Sequence, residues 1–442
     1  MAHLRSFLKE IANGPTPGLA AAVYRGSSAF LAVYLTGSAI SFGVQLVMAR
    51  LLGAPSYGNF VYAISWAPLL LLACNFGLKP TAVRFVAAYN ARAEWGLIRG
   101  FLRSSTSWTI AASLFVVALA LVSIGLLRPR LDELGTTLVL VTVAMPFVAL
   151  SEVWSAAGRG LGAVARSQTP ASIVQHSLVG IILLVLVAAN GAQGGSALAA
   201  CAFLLGTIGT LGATGWLLRK QLSREVSACP PLYERGAWLH VAGSNVLISL
   251  FQAARAPLIV VIAGAYVDSQ HLAFYGAAQR LANVLSLGLI GISAFASPRI
   301  SEYYALSDFA NLRRLTRASA YGALGVATAT ALLMIGFGTQ LLRLFGNGFE
   351  AGYVALLILL SGEVAAAAAG PVGFFLTMTG RHTTATCIEG VSCALALSLA
   401  LVLVPDYGIV GAAIVVATAS VVRNAAMFVV VQRQLRLRSA IA

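Results

Sequence analysis

The sequence predicts an all-α polytopic membrane protein with about 12 transmembrane helices in two six-helix bundles related by an internal parallel repeat. Three observations predict this fold class. Hydrophobic residues make up 59% of the 442 residues and charged residues only 10%, whereas soluble domains carry about 25% charged residues. Apolar runs of roughly 18–25 residues, long enough to cross a bilayer, recur along the whole chain. Features of the first half also recur in the second half at a constant offset.

The apolar runs define the predicted spans in order. Their approximate ranges are 27–49, 59–78, 106–127, 135–155, 170–189, 196–218, 239–264, 273–297, 318–340, 353–378, 385–404 and 408–432. Polar segments flank and separate two groups of six. The predicted division is therefore an N-terminal segment 1–26, an N-terminal bundle 27–218, a linker 219–238, a C-terminal bundle 239–432 and a tail 433–442.

The positions of lysine and arginine predict the orientation of the chain. The termini and the loops on one side hold 20 of these cations, and the loops on the other side hold 4. Cytoplasmic loops of membrane proteins carry such an excess, so both termini are predicted to be cytoplasmic. Because the cations lie in short loops and form no nucleic-acid-binding motif, the net charge of +15 does not indicate a nucleic-acid partner.

The internal repeat predicts the symmetry of the molecule. Tyr57-Gly58 recurs as Tyr275-Gly276, and Pro80 recurs as Pro298, each 218 residues later. Each repeat contains an even number of spans, so both halves have the same orientation, as in parallel-repeat transporters. Two such bundles enclose a cleft in which substrate binds, and rocking of one bundle against the other gives alternating access.

Four cations lie inside predicted spans or at their inner edge. Arg255 is near the middle of span 7, and Arg280 is about a third of the way into span 8. Lys79 and Arg84 flank Pro80, where span 2 is predicted to continue to about residue 89 with a kink. A charge in hydrocarbon costs about 2.5–3.5 kcal/mol on insertion scales, so such residues usually face a wet cavity. These four side chains are candidates to line a path for an anion. The alternatives are a structural ion pair for Arg255 and snorkelling to the interface for Lys79 and Arg84.

Two in-span carboxylates are candidates for coupling transport to H⁺ or Na⁺. Glu363 lies near the middle of span 10, and Glu152 lies near the inner end of span 4. Burial raises the free energy of a charged carboxylate and favours proton uptake. For Glu363 the alternative is a structural ion pair with an arginine of the other half.

Metal sites and enzymatic centres are not expected. The five cysteines show no metal-ligand spacing, and no cofactor is predicted apart from the coupling ion. The predicted external loops are too short to form a catalytic domain. The chain is therefore predicted to be a transporter and not an enzyme.

Four stretches of the sequence resemble a known family. They are "VMARLLGAPSYGNFVYAISWAPLLLLACNFGLKPTAVRFVAAY" (47–89), "LFGNGFEAGYVALLILLSGE" (344–363) with "MTGRHTTAT" (378–386), and "YGIVGAAIVVATASVVRN" (407–424). They resemble polysaccharide biosynthesis membrane proteins, the oligosaccharide (O-antigen, Wzx-type) flippases of the multidrug/oligosaccharidyl-lipid/polysaccharide exporter superfamily. The resemblance covers nearly the whole chain. Its glycine and apolar patterns identify the family better than the substrate.

The resemblance implies that the protein moves a polyprenyl-diphosphate-linked oligosaccharide from the cytoplasmic to the periplasmic leaflet of the bacterial inner membrane. It implies that Arg255, Arg280, Lys79 and Arg84 hold the diphosphate, for which the planar fork of arginine is suited. Polar side chains near the cleft would contact sugar hydroxyls, and the candidates are Asn75, Gln252, Gln279 and Asn283.

The partners implied are membrane lipid, the lipid-linked glycan, and the polymerase and glycosyltransferases of the same pathway for O-antigen, lipopolysaccharide or exopolysaccharide. Two other functions stay open at this point. One is a multidrug efflux antiporter of the same superfamily, and the other is a non-transporting scaffold of a glycan-assembly complex.

Overall fold

The computed structural model describes residues 17–128, 132–190, 195–305 and 308–439, and within these ranges it contains helices and no strands. The all-α prediction is therefore confirmed for the described part of the chain. Side chains are described from residue 29 onward, except at short stretches that include 252–253, 297–299 and 434–439.

The helices of the first half cover the predicted N-terminal bundle. In chain order they are α1 Pro17–Ser65, α2 Ala67–Asn75, α3 Leu78–Ala91, α4 Trp95–Leu127, α5 Glu133–Gly160, α6 Val164–Thr169, a π-helix Pro170–Val174, α7 Gln175–Asn190 and α8 Gly195–Gln221.

The remaining helices follow a short connecting helix. They are α9 Arg224–Ala228, α10 Arg235–Tyr266, α11 Ser269–Ala305, α12 Phe309–Arg343, a 3₁₀ helix Phe349–Gly352, α13 Tyr353–Ala369, α14 Val372–Met378 and α15 His382–Ser439. The division into two bundles with a linker at 219–238 remains a prediction, although a helix break between Gln221 and Arg235 lies in this region.

The helix pattern is consistent with about 12 spans. Among the described residues, 8 helices are long and apolar enough to cross a membrane, and the bent helix α10 makes up to 9. Two of these segments each join two predicted spans: α1 contains a non-helical Gly53, with φ 75°, and α15 contains a non-helical Gly408, with φ 54°. Helix α11 covers the remaining predicted span. A left-handed φ suits glycine because it has no Cβ.

The break in the second predicted span differs from the expected position. We predicted a kink at Pro80, but the helix ends before it, at Phe76 and Gly77, whose φ angles are 29° and 79°. Pro80 is the third residue of α3, in the first helical turn, where a missing N–H costs no intrahelical hydrogen bond. Its repeat mate Pro298 lies inside the continuous helix α11.

The two halves meet closely at one end of the bundle. We call this the far end, and the turns at Gly53, Val267 and Gly408 lie there. The described chain begins and finishes at the opposite end, which we call the terminal end. A Cβ on Gly58 would lie 1.6 Å from the carbonyl oxygen of Ser269. The Ser269 hydroxyl donates to Asn59 Oδ1 at 2.5 Å. Only glycine at position 58 permits this approach of α1 to α11.

Aromatic packing continues the contact at the far end. The repeated residues Tyr57 and Tyr275 are fully buried. Phe349, on the segment between α12 and α13, packs against Tyr57 of the first half and Phe274 of the second. The largest apolar cluster of the described residues includes side chains from both halves. The far end is therefore sealed by a continuous hydrophobic core.

A hydrogen-bonded chain also ties the linker to the first half. The Trp238 indole donates to the Tyr89 hydroxyl at 2.9 Å, and this hydroxyl donates to Glu234 Oε2 at 2.7 Å. The Leu232 amide donates to the Gly96 carbonyl at 2.9 Å. These contacts hold the start of α10 against α3 and α4.

Candidate functional site

A cavity lies between the two halves, on the terminal side of the sealed contact. Its volume is about 520 Å³. One wall comes from α1 and from the stretch running through α6, the π-helix and α7, and the other wall comes from α11. The polar residues that line it are Tyr34, Ser38, Ser41, Gln168, Ser172, His176, Arg280, Asn283 and Ser286.

Helix α11 brings two of the predicted site residues into this cavity. Arg280 and Asn283 are three residues apart, so they lie on the same face of the helix, and both line the cavity. Arg280 lies close enough to the Tyr57 hydroxyl to interact with it electrostatically. The Tyr57 hydroxyl donates to Gln45 Oε1 at 3.0 Å. The guanidinium therefore lies near a fully buried tyrosine of the other half.

The π-helix shapes the opposite wall. Pro170 begins it, and the backbone shifts the register so that Gln175 bonds back to Pro170. Single turns of π-helix often occur at functional sites. Here the turn places Ser172 and His176 in the cavity wall, and His176 Nδ1 donates to the Ser172 carbonyl at 2.9 Å. A Cβ on Gly37 would lie 2.5 Å from that same carbonyl oxygen, so glycine permits α1 to approach this wall closely.

The charge of the cavity is positive. Among the described residues that line it, Arg280 and His176 are basic and none is acidic. The other polar groups are hydroxyls and amides, which can both donate and accept hydrogen bonds. This arrangement suits a ligand with an anionic group and several hydroxyls.

Three other predicted residues form a separate cluster in the first half. Lys79 Nζ lies 2.9 Å from Glu152 Oε1, and Asn75 Nδ2 donates to Glu152 Oε2 at 2.8 Å. The Lys79 side chain is 46% exposed. The structure thus pairs the predicted anion ligand Lys79 with the predicted coupling carboxylate Glu152. Arg84 is exposed on α3, with its guanidinium over the ring of Phe85.

The predicted residues Arg255 and Glu363 lie within the second half. Arg255 interacts electrostatically with Arg423, Glu389 and Glu363. Glu363 accepts a hydrogen bond from the Ser286 hydroxyl at 2.8 Å. Because Ser286 also lines the cavity, Glu363 is one hydrogen bond away from it. Arg255 is not among the residues that line this cavity.

Two predicted sugar contacts are not placed in the cavity. Gln279 neighbours Arg280 on α11 but does not line the cavity. Gln252 belongs to α10, and its side chain lies outside the described residues. Within the described ranges, no group of three or more His, Cys, Asp or Glu side chains could hold a metal ion.

The sequence analysis did not identify most of the wall contributed by the first half. Ser38, Ser41, Gln168 and Ser172 were not among the candidates, yet they line the cavity. A usable signal was present in the small and polar residues between Gly37 and Gly43 of an otherwise apolar helix.

Comparisons with known proteins agree with this architecture. The family model described as "Polysaccharide biosynthesis protein" matches residues 23–304, and the MatE model matches residues 242–402. No curated protein matches the sequence.

Similar solved structures include two with a TM-score of 0.73 and 13% identity. One is an inward-facing multidrug resistance MATE family transporter of the MOP superfamily, matched over 94% of this chain and 99% of that one. The other is the lipid II flippase MurJ in an inward closed conformation, matched over 91% and 87%. An outward-facing MATE family transporter matches with a TM-score of 0.62 and 15% identity, over 95% and 96%. At these identities the likeness establishes the fold, which is that of MOP-superfamily transporters.

Proposed function

The chain belongs to the polysaccharide biosynthesis protein family, and on that premise we propose that it is a flippase for a polyprenyl-diphosphate-linked oligosaccharide. It moves this lipid from the cytoplasmic to the periplasmic leaflet of the bacterial inner membrane by alternating access, with both termini in the cytoplasm. The product serves surface polysaccharide synthesis.

The observation that carries the proposal is the charge of the cavity. A diphosphate is anionic, and an arginine in a site shielded from water binds it through charge-assisted hydrogen bonds. Arg280 supplies this group, and the described lining contains no carboxylate that would repel the ligand. A cavity for a cationic drug would need acidic residues instead.

The hydroxyl and amide groups support the glycan part of the substrate. Asn283, Gln168 and the serines of the wall offer donors and acceptors that match sugar hydroxyls. The cavity is lined by elements of both halves of the chain, and substrate sites of parallel-repeat transporters lie at such an interface. The glycan would occupy the cavity while the polyprenyl chain stays in the bilayer.

The remaining predicted residues enter the proposal at other steps. We propose that, after the halves have moved relative to each other, the diphosphate is bound by Lys79, Arg84 and Arg255. The sugars would then be contacted by Asn75, Gln252 and Gln279. Glu363 and Glu152 are proposed to couple this motion to H⁺ or Na⁺. Glu363 is better placed for this role because Ser286 connects it to the cavity.

The test is lipid translocation by purified protein in proteoliposomes, with a fluorescent polyprenyl-diphosphate oligosaccharide as substrate. Arg280→Gln is expected to lower the rate at least about tenfold, since a lost charge-assisted contact costs roughly 1.5–3 kcal/mol. Arg317→Gln, at an exposed position of α12, is the matched control. Full activity of the Arg280→Gln protein would contradict the proposed role of the cavity.

A multidrug efflux antiporter is the second candidate, because the MatE model matches part of the second half. Export of a cationic dye from loaded proteoliposomes tests it. Dye export, together with no glycolipid movement, would favour efflux. A protein inactive in both assays would point to a scaffold function.

A further inference from the structure

The wall that the first half contributes to the cavity is ordered by a series of hydrogen bonds. Arg159 Nη1, on α5, donates to Gln168 Oε1 at 3.3 Å, and Gln168 Nε2 donates to the Ser172 hydroxyl oxygen at 3.2 Å. Because that oxygen accepts from Gln168, its own proton is left for a ligand. Gln168 and Ser172 both line the cavity. The wall therefore offers a hydroxyl donor that is linked through Gln168 to the charge of Arg159.

One helical turn further along the wall lies His176. Its Nδ1 donates to the Ser172 carbonyl oxygen at 2.9 Å, so in the neutral ring Nδ1 carries the proton and Nε2 is an acceptor. Nδ1 is the ring nitrogen that bonds to the described residues, and Nε2 is left for a ligand in the cavity that the ring lines. A neutral His176 can only accept a hydrogen bond there. When Nε2 takes up a proton, it becomes a donor with a positive charge.

The groups around His176 determine what such a proton meets. Arg280 of α11 lines the same cavity and acts on His176 electrostatically. Tyr34 of α1 is the remaining titratable side chain of the described lining. Helix α8, which packs against α7, carries Cys201 as its titratable side chain before the last turn. None of these groups is a carboxylate, so they provide no negative charge for a protonated imidazole.

We propose that the diphosphate group of the substrate binds between Arg280 and His176, and that His176 takes up one proton at Nε2 as it binds. The inference rests on the proposed function, because the anion is the group that favours the charged imidazole. Arg280, protonated His176 and the Ser172 hydroxyl then donate to phosphate oxygens from both halves of the chain. The proton comes from solvent and is released when the headgroup leaves.

The direction of the pH dependence follows from linkage. A ligand that favours proton binding at His176 is itself bound more tightly when that proton is present. Histidine without a perturbing neighbour changes its charge between about pH 5 and 8. Affinity for the anion should therefore rise as the pH falls through this range. The expected gain is about tenfold or more, since one charge-assisted hydrogen bond is added.

Isothermal titration calorimetry of the purified protein with inorganic pyrophosphate tests the inference. The dissociation constant is measured at the two ends of this pH range. Pyrophosphate itself loses protons and gains negative charge as the pH rises, which would strengthen its binding at high pH. Weaker binding at high pH therefore reports a proton on the protein.

Four variants locate the proton. His176→Gln should bind pyrophosphate about tenfold more weakly at low pH and should lose the gain on acidification. His240→Gln, at an exposed position of α10 outside the described lining, is the matched control and should keep both. Ser172→Ala should weaken binding by a similar factor at both pH values. Glu363→Gln should keep the gain, although Ser286 connects Glu363 to the cavity, because the proton of this step is held by His176.

Several results would overturn the inference. Affinity that does not rise on acidification of the unaltered protein would refute it, even if His176→Gln does not fold. A gain that persists in His176→Gln, or that is lost in Glu363→Gln, would place the proton elsewhere. Binding that Arg280→Gln abolishes but that is independent of pH would refute this inference alone and leave the flippase proposal intact. Absence of pyrophosphate binding at either pH would contradict the anionic site itself.

Discussion

At the scale of single residues, charged side chains that look alike in the sequence, because each lies within a predicted span, occupy different environments in the structure. Arg280 lines a cavity, Lys79 is paired with Glu152, and Arg255 is half-buried with one buried nitrogen that has no hydrogen-bond partner among the described residues. The insertion cost of a charge predicts only that each needs a polar environment. Solvent, a carboxylate or a ligand can each provide that environment, and which of them does so decides the role of the side chain.

Substitution of Lys79 should lower the stability of the protein slightly, and a second substitution at Glu152 should restore most of the loss. Lys79→Met leaves Glu152 without its cationic partner, and we expect the unfolding temperature to fall by about 2 °C, since a half-exposed pair contributes roughly 1 kcal/mol or less. The double variant Lys79→Met/Glu152→Gln should recover most of this loss, because the Gln oxygen still accepts from Asn75. Differential scanning fluorimetry measures the shifts. Additive losses would show that the pair is not coupled.

At the scale of elements, glycines decide where helices break and where they touch. Gly53, Gly77 and Gly408 take positive φ angles at breaks. Gly58, by contrast, is helical and is needed because the backbone of α11 lies against it. The repeated Tyr-Gly dipeptides of the sequence are thus contact points: Tyr57 and Tyr275 are buried, and Gly276 faces Val61 across the interface.

Gly58→Ala should loosen the contact between α1 and α11. Its new Cβ would overlap the Ser269 carbonyl, so the helices must separate. We expect faster maleimide labelling of a cysteine at the fully buried position 273, introduced as Ala273→Cys in a background without the native cysteines. Gly43→Ala is the matched control, because a Cβ there meets no atom within 4 Å. Equal labelling rates in both variants would argue against a rigid contact.

At the scale of the whole molecule, the two halves are sealed at the far end and leave a cavity on the terminal side. Phe345 joins this seal and packs edge-to-face against Phe42, which lines the cavity. Transport across the membrane requires the seal to open and the terminal side to close. The hydrophobic cluster shared by the halves is therefore the part that must separate during a transport cycle.

A disulfide across the far end should stop transport. The side chains of Asn59 and Ser269 are in hydrogen-bond contact, so the pair Asn59→Cys/Ser269→Cys is expected to form a crosslink on oxidation. Glycolipid translocation should fall to background and return after reduction. Each single cysteine variant, oxidised in the same way, is the control. Undiminished transport by fully crosslinked protein would exclude opening at this contact.

The sequence by itself determined the membrane-spanning helical class and the family resemblance, and it indicated an internal repeat. These three conclusions follow from hydropathy and from recurring dipeptides, which are both local features of the amino-acid sequence. It also supplied Arg280 and Asn283 as separate candidates, and the structure shows that both line the cavity from one helix.

Only the tertiary structure decided which charged side chain meets which partner. Lys79 and Glu152 are 73 positions apart, and no local pattern connects them. The serines of α1 and the π-helix become a cavity wall only because α11 stands opposite them. Partner choice depends on how helices distant in sequence pack, because a charged side chain within a span needs a polar neighbour and its own sequence neighbours do not show which one it meets.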